Sequence, residues 1–283
     1  MSIVSSSSAA SQPVTRKPPE RIFRCYVSRQ QDSGLKLSTR PSYFDSKSFR
    51  ETLIKTYDVV SVPGPRLEGD DVGFIRVTLF KESATGYLKK AITDLSFQAG
   101  EKLKGFIIDL RNNSGGLIDQ SILVSDVFLE KGGEIVSTRG RNAETRRYVA
   151  RSGDLTKGKP IVVLINRGSA GAAEIVAAAL QDHKRATLIG TRTFGRGSVQ
   201  TIIPLGSGNG ALRLTTARLL RPSGRPIEGV GVTPNFKVLQ DEEASQPRAD
   251  ENNQEGKSPI PADPKNDKVL RAAVDLLHGI RPR

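Results

Sequence analysis

Across residues 72–189, short apolar runs alternate with amphipathic stretches, and two of the runs end in glycine-rich turns that lead directly into helical patterns. Segment 72–80 (VGFIRVTLF) alternates and is rich in β-branched residues, which predicts a strand. Segment 85–98 predicts a helix with Leu88, Ile92 and Leu95 on one face. GFIIDL (105–110) predicts a buried strand, RNNSGG a turn, 117–129 an amphipathic helix and 134–137 a strand. PIVVLI (160–165), the turn NRGSAG, a helix over 172–183 and a strand over 187–189 repeat the scheme, with Ile175, Val176, Ala179 and Leu180 facing inward. Strands alternating with helices define an α/β domain. Segments 199–203 and 211–217 predict a hairpin over GSGNG.

The flanks differ in composition. Residues 1–56 are rich in Ser, Pro and Arg and predict an irregular arm; the core runs from 57 to 240. Residues 241–265 are polar, charged and Pro-rich and predict a disordered linker. Residues 266–283 hold one amphipathic helix, with Asn266 or Asp267 as its cap and Gly279 past its end. No apolar run is long enough to span a membrane. Ser and Pro interrupt the first residues, so no secretory signal is read and a cytoplasmic location is expected.

Charge and cysteine narrow the classes further. The formal charge is +13, but basic residues are spread widely and lack interleaved aromatics, so no specific nucleic-acid interface is expected. Attraction to acidic partners is the physical consequence of such a charge. Cys25 is the only cysteine, which excludes an internal disulfide and reads as an incidental thiol.

Chemistry is expected at the two strand-to-helix turns. A helix N-terminus offers unbonded N–H groups and a positive dipole end, which suit a nucleophile and the oxyanion it creates. Other candidates are weaker. His183 and His278 are too few for a histidine metal site, so no metal or cofactor is expected. GSGNG lacks the Lys-Ser/Thr of a phosphate loop. Asp109 and Asp119 flank the NNSGG turn without forming an evident carboxylate pair.

From about Glu68 to Leu239 the chain resembles the carboxy-terminal processing (tail-specific) serine peptidases, and most closely their bacterial periplasmic branch. The resemblance rests on GDDVGFIRVTLF, DLRNNSGGLIDQ, STRGRNAET, GKPIVVLINRGSA, ALQDHKRATLIGTRTFGRGSVQTIIPLGSGNGALRLTTAR and PSGRPIEGVGVTP. It implies a Clp-protease/crotonase-like α/β core, proteolysis by a Ser–Lys dyad, and protein or peptide segments as partners. The family motif Gly-Ser-Ala-Ser-Ala-Ser-Glu, with the middle Ser catalytic, here reads Gly168-Ser169-Ala170-Gly171-Ala172-Ala173-Glu174. The family's Phe-Gly-Lys-Gly reads Phe194-Gly195-Arg196-Gly197. The resemblance implies that Gln200 orients the base, that Gly115 or Gly116 with Ala172 forms the oxyanion hole, and that Asp182 is structural. Ser114 stands where the family usually has Pro.

Glycine has no atom to attack a carbonyl, and arginine stays protonated and cannot serve as base. Loss of such a nucleophile costs roughly 10⁶-fold in rate. A glycine at a helix N-cap costs only about a few tenths of a kcal/mol relative to Ser, so the fold is expected to survive. The expectation is a catalytically inactive homologue that binds peptides or joins an active homologue as an inert subunit. Two rivals stand beside it: an active protease with a displaced nucleophile such as Ser169, and a basic protein that binds acidic partners. Ser198 and Lys184 are less suited to replace the dyad. The family usually places a PDZ domain before the core, and only residues 58–62 resemble its end. Signal, PDZ domain and dyad are thus expected to be lost together, as in a decayed duplicate.

Overall fold

The computed structural model describes residues 61–140, 144–204, 211–240 and 259–281. The expected arm and most of the expected linker lie outside them.

The central sheet is built from β1 (Arg66–Glu68), β2 (Val72–Arg76), β3 (Gly105–Asp109), β6 (Ile161–Ile165), β7 (Thr187–Gly190) and β10 (Phe236–Lys237), side by side in that order. β1 is antiparallel to β2, and every other pair is parallel. Phe74, Ile107, Val162 and Thr187 lie across from one another, so the carboxyl ends of the four middle strands align. Parallel neighbours need crossovers. Helices α1 (Ala84–Ala99), α2 (Ile118–Asp126) and α3 (Ala172–Asp182) lie in those connections.

The strands read as unbroken apolar runs because both faces of the sheet are covered. Ile75, Phe106, Ile108, Val163, Ile165 and Leu188 point to the face shared with α1, α2 and α3. Their alternates Val72, Phe74, Ile107, Val162, Leu164 and Ile189 point the other way. That second face is closed by Val269, Leu270 and Ala273 of α4 (Lys268–Leu277). The sequence marked this helix as a separate terminal element; the structure makes it the third layer of the core.

A second sheet has the order β5 (Arg146–Val149), β4 (Glu134–Gly140), β9 (Ala211–Leu220), β8 (Ser198–Pro204), so β5 and β8 are its outer strands among the described residues. By contacts, the described residues 61–201 and 214–281 fall in one unit, which holds the candidate site, and 202–204 with 211–213, at the ends of β8 and β9, fall in another. The expected strand over 72–80 stops at Arg76, and Phe80 returns only as an isolated bridge to Gly116.

That bridge sets a requirement on Gly116. Its φ is +128°, and a Cβ there would lie 2.3 Å from Phe80 O. Gly116→Ala therefore has to move backbone, and about 2–3 kcal/mol of destabilisation is expected in urea unfolding. A loss within about 0.5 kcal/mol, the range of an ordinary surface change, would show that the turn is not clamped as described.

Candidate active site

The turns after β3 and β6 lie against each other. Ala170 N–H donates to Asn113 O at 2.8 Å. The buried Asn113 side chain donates to Val77 O at 2.8 Å and accepts the Gly115 N–H at 2.9 Å. Asn166 locks the other flank, accepting the Asn112 N–H at 2.8 Å and donating to Asn112 Oδ1 at 2.9 Å. These side-chain bonds to turn backbone are why Asn suits NNSGG and NRGSAG.

Gly171 sits immediately before α3 with φ +57° and ψ −113°. A standard N-cap residue is extended with negative φ. The structure corrects the expectation of an ordinary N-cap at Gly171: here glycine relieves strain that any side chain would carry, about 1–3 kcal/mol. Sharp, strained strand-to-helix turns of this kind present nucleophiles. A Cβ at position 171 would meet only Gly115 Cα at 3.8 Å, Arg196 Cδ at 3.9 Å and Ser114 O at 3.9 Å, all ordinary contacts. Residues 171 and 196 are thus neighbours, and the space for a side chain at 171 is open toward Arg196.

Arg196 is half-buried, lies over the Phe194 ring with its Cζ 5.2 Å from the centroid, and reaches Ser114 O at 3.4 Å. Both positions are held by Glu174, which is fully buried in the first turn of α3. Its carboxylate accepts from Gly171 N–H at 2.9 Å, Gly195 N–H at 2.7 Å, Arg196 N–H at 2.7 Å and Thr193 Oγ1 at 2.5 Å. Burial raises its pKa above the ordinary carboxylate value, and the four donors pull against that rise. The sequence motif contains Glu174 but assigns it no role. Its signal was a lone carboxylate at the third position of an otherwise apolar helix, AAEIVAAAL.

The expected oxyanion amides divide. Gly115 N–H is engaged by Asn113, whereas neither Gly116 nor Ala172 N–H donates to another of the described residues. Gly115 packs tightly on this corner: a Cβ there would be 3.2 Å from Ala172 N. Gln200 is exposed on β8, four residues beyond Arg196.

Ser169 does not lie in the site. Its side chain is 0% exposed. The hydroxyl donates to Leu110 O at 2.7 Å and accepts Asn166 N–H at 3.1 Å. A hydroxyl so engaged braces the turn and has no approach to a substrate. Lys184 is exposed beyond α3. Asp182 accepts from Arg221 Nε at 3.0 Å, from Arg221 Nη2 at 2.5 Å and from Ser223 N–H at 3.0 Å. Burial works to raise its pKa, but these donors hold it below the ordinary range. His183 ends α3 with Nε2 2.6 Å from Glu134 O, and His278 pairs with Asp71 at 3.0 Å. Asp109 faces Arg111, whereas Asp119 is exposed on α2. Among the described residues no cluster suits a metal ion, and no helix is long and apolar enough to cross a membrane.

A covered, mostly parallel sheet with two facing strand-to-helix turns at its carboxyl end fits a Clp-protease/crotonase-like core. Within that class the chain belongs to peptidase family S41, whose model matches residues 71–238. It is 49% identical over 234 residues to a carboxy-terminal-processing protease of Bartonella bacilliformis, covering 76% of this chain and 53% of that protein. It is 36% identical over 184 residues to the carboxy-terminal processing protease CtpA of Bacillus subtilis, covering 65% and 38%. A solved photosystem II D1 C-terminal processing protease superposes with a TM-score of 0.61 at 28% identity, over 76% of this chain and 53% of that one. The chain thus spans about half the length, or less, of these relatives.

Proposed function

We propose that this chain is a non-catalytic member of family S41 that holds peptide segments without cutting them, alone or as an inert subunit beside an active homologue. The observation that carries the reading is the pair Gly171 and Arg196, set side by side at the turn that a serine peptidase would use for its nucleophile and base. Glycine offers no nucleophile, and a guanidinium beside it stays protonated. The rival with Ser169 as nucleophile is disfavoured by the burial and bonding of that hydroxyl. Peptide binding is favoured by β8, which starts two residues after Arg196 and is an outer strand of its sheet among the described residues, a position suited to strand addition.

The test is direct. Purified protein is incubated with an unfolded casein and with a fluorophosphonate probe. No fragments and no labelled band are expected. A band that disappears in Ser169→Ala would overturn the reading in favour of the displaced nucleophile.

A further inference from the structure

The loops that leave β2, β3, β6 and β7 open at the aligned carboxyl ends of those strands, where Gly171 and Arg196 lie. Their solvent-reaching charges are strongly biased. Lys81 and Arg196 are half-buried and Arg167 and Arg192 are exposed; the carboxylate on these loops that reaches solvent is Glu82. Two exposed carboxylates border these loops: Glu228, which accepts the Gly197 N–H at 2.6 Å, and Asp119 in the first turn of α2. The deeper carboxylates are buried and hydrogen-bonded in place. Asp109 and Asp267 face the Arg111 guanidinium, and Glu174 is taken up by four donors.

We propose that this mouth selects acidic peptide segments, with Arg167 and Arg192 meeting the carboxylate side chains of an extended peptide that passes Gly171. The inference rests on the peptide-holding reading above and names the chemistry of the peptide. Arginine presents a planar donor fork that fits carboxylates. A cluster of one sign steers oppositely charged ligands and suppresses like-charged ones. The ligand is a peptide rather than a nucleic acid because β8, the outer strand among the described residues, begins beside this mouth and suits strand addition, while Phe194, the one exposed aromatic on these loops, already lies under Arg196.

Anisotropy of a short fluorescein-labelled peptide alternating Glu with Val tests this. Its Gln and Lys counterparts and an oligothymidine of equal charge serve as competitors for the same claim. The Glu peptide is expected to bind about tenfold tighter than the Gln peptide, with the preference fading at high salt. Arg167→Glu with Arg192→Glu is expected to abolish the preference. Both side chains are exposed, and circular dichroism checks the fold; should the pair not fold, Arg192→Gln alone is expected to reduce the preference. Equal binding of Glu and Gln peptides, insensitivity to the substitutions, or an oligothymidine bound as tightly through the same arginines would each overturn the proposal. Mass spectra of the bound peptide separate the two readings: a cleaved acidic peptide sinks the non-catalytic role and leaves the charge selection standing.

Discussion

The double variant Gly171→Ser, Arg196→Lys is expected to turn over a short peptide roughly 10²-fold or more faster than either single variant, because paired catalytic groups are grossly non-additive. Each single change is expected to be idle: a serine facing an arginine has no base, and a lysine facing a glycine has nothing to activate. The geometry favours the pair. Position 171 still has φ +57° and ψ −113°, and its Cβ would have only ordinary contacts, one of them to the side chain at 196. Glu174 still fixes the main chain of both positions. The Ala172 and Gly116 N–H groups remain without partners among the described residues, available to a developing oxyanion. The conformation also sets a cost. Gly171→Ser places a side chain at positive φ and is expected to lower stability by about 1–3 kcal/mol while restoring nothing by itself. Thermal unfolding of the single variant therefore reads the backbone, and turnover by the double variant reads the site. A folded double variant no faster than the singles would show that the scaffold no longer supports the chemistry.

What the sequence revealed follows from how each feature is encoded. The α/β alternation was legible because a sheet covered on both faces writes its strands as continuous apolar runs, as in GFIID and IVVLI. The two turns were legible from Asn and Gly. The expectation that positions 171 and 196 belong to one site rests on the ordered motifs around them, and the structure makes the two neighbours. Features carried by tertiary contact were not. The strand β5 reads RRYV, an exposed edge segment whose identity comes from pairing with β4. The strain at Gly171 looked like an ordinary helix cap, because φ is not written in the residue type when the residue is glycine. Ser169 looked like a spare nucleophile until its burial against Leu110 O was seen. The attachment of α4 was the least legible of all, since its partner lies 156 positions away.

That attachment predicts the largest loss of stability. Arg111 is 3% exposed and donates from Nε and Nη2 to Asp109, at 2.9 and 2.8 Å, and from Nη1 and Nη2 to Asp267, at 2.9 and 2.8 Å. Asp267 also caps α4, accepting Leu270 N–H at 3.0 Å, and accepts from Gln240 Nε2 at 2.5 Å. One carboxylate thus joins strand β3, the segment after β10 and the helix that seals the second face. Burial works to raise the pKa of Asp267; the hydrogen bonds and charge of Arg111, the Leu270 amide and Gln240 outweigh it and hold the pKa below the ordinary value. The sign follows. A depressed acid adds stability that is present above its unfolded value, about 3.9, and is lost as pH falls through the folded value. Asp267→Ala removes the cap and leaves Arg111 with half its acceptors, so about 3 kcal/mol is expected to be lost at neutral pH. For a core of this size that is a fall of about 6–12 °C in Tm. Asp267→Asn keeps an acceptor for Leu270 and removes the charge, so about half that loss is expected. The gap between parent and Asp267→Ala should narrow as pH is lowered through the acid range, because protonation removes the same charge. A loss under about 0.5 kcal/mol in Asp267→Ala, or a gap that does not change with pH, would show that α4 is held by its apolar face alone, through Val269, Leu270 and Ala273.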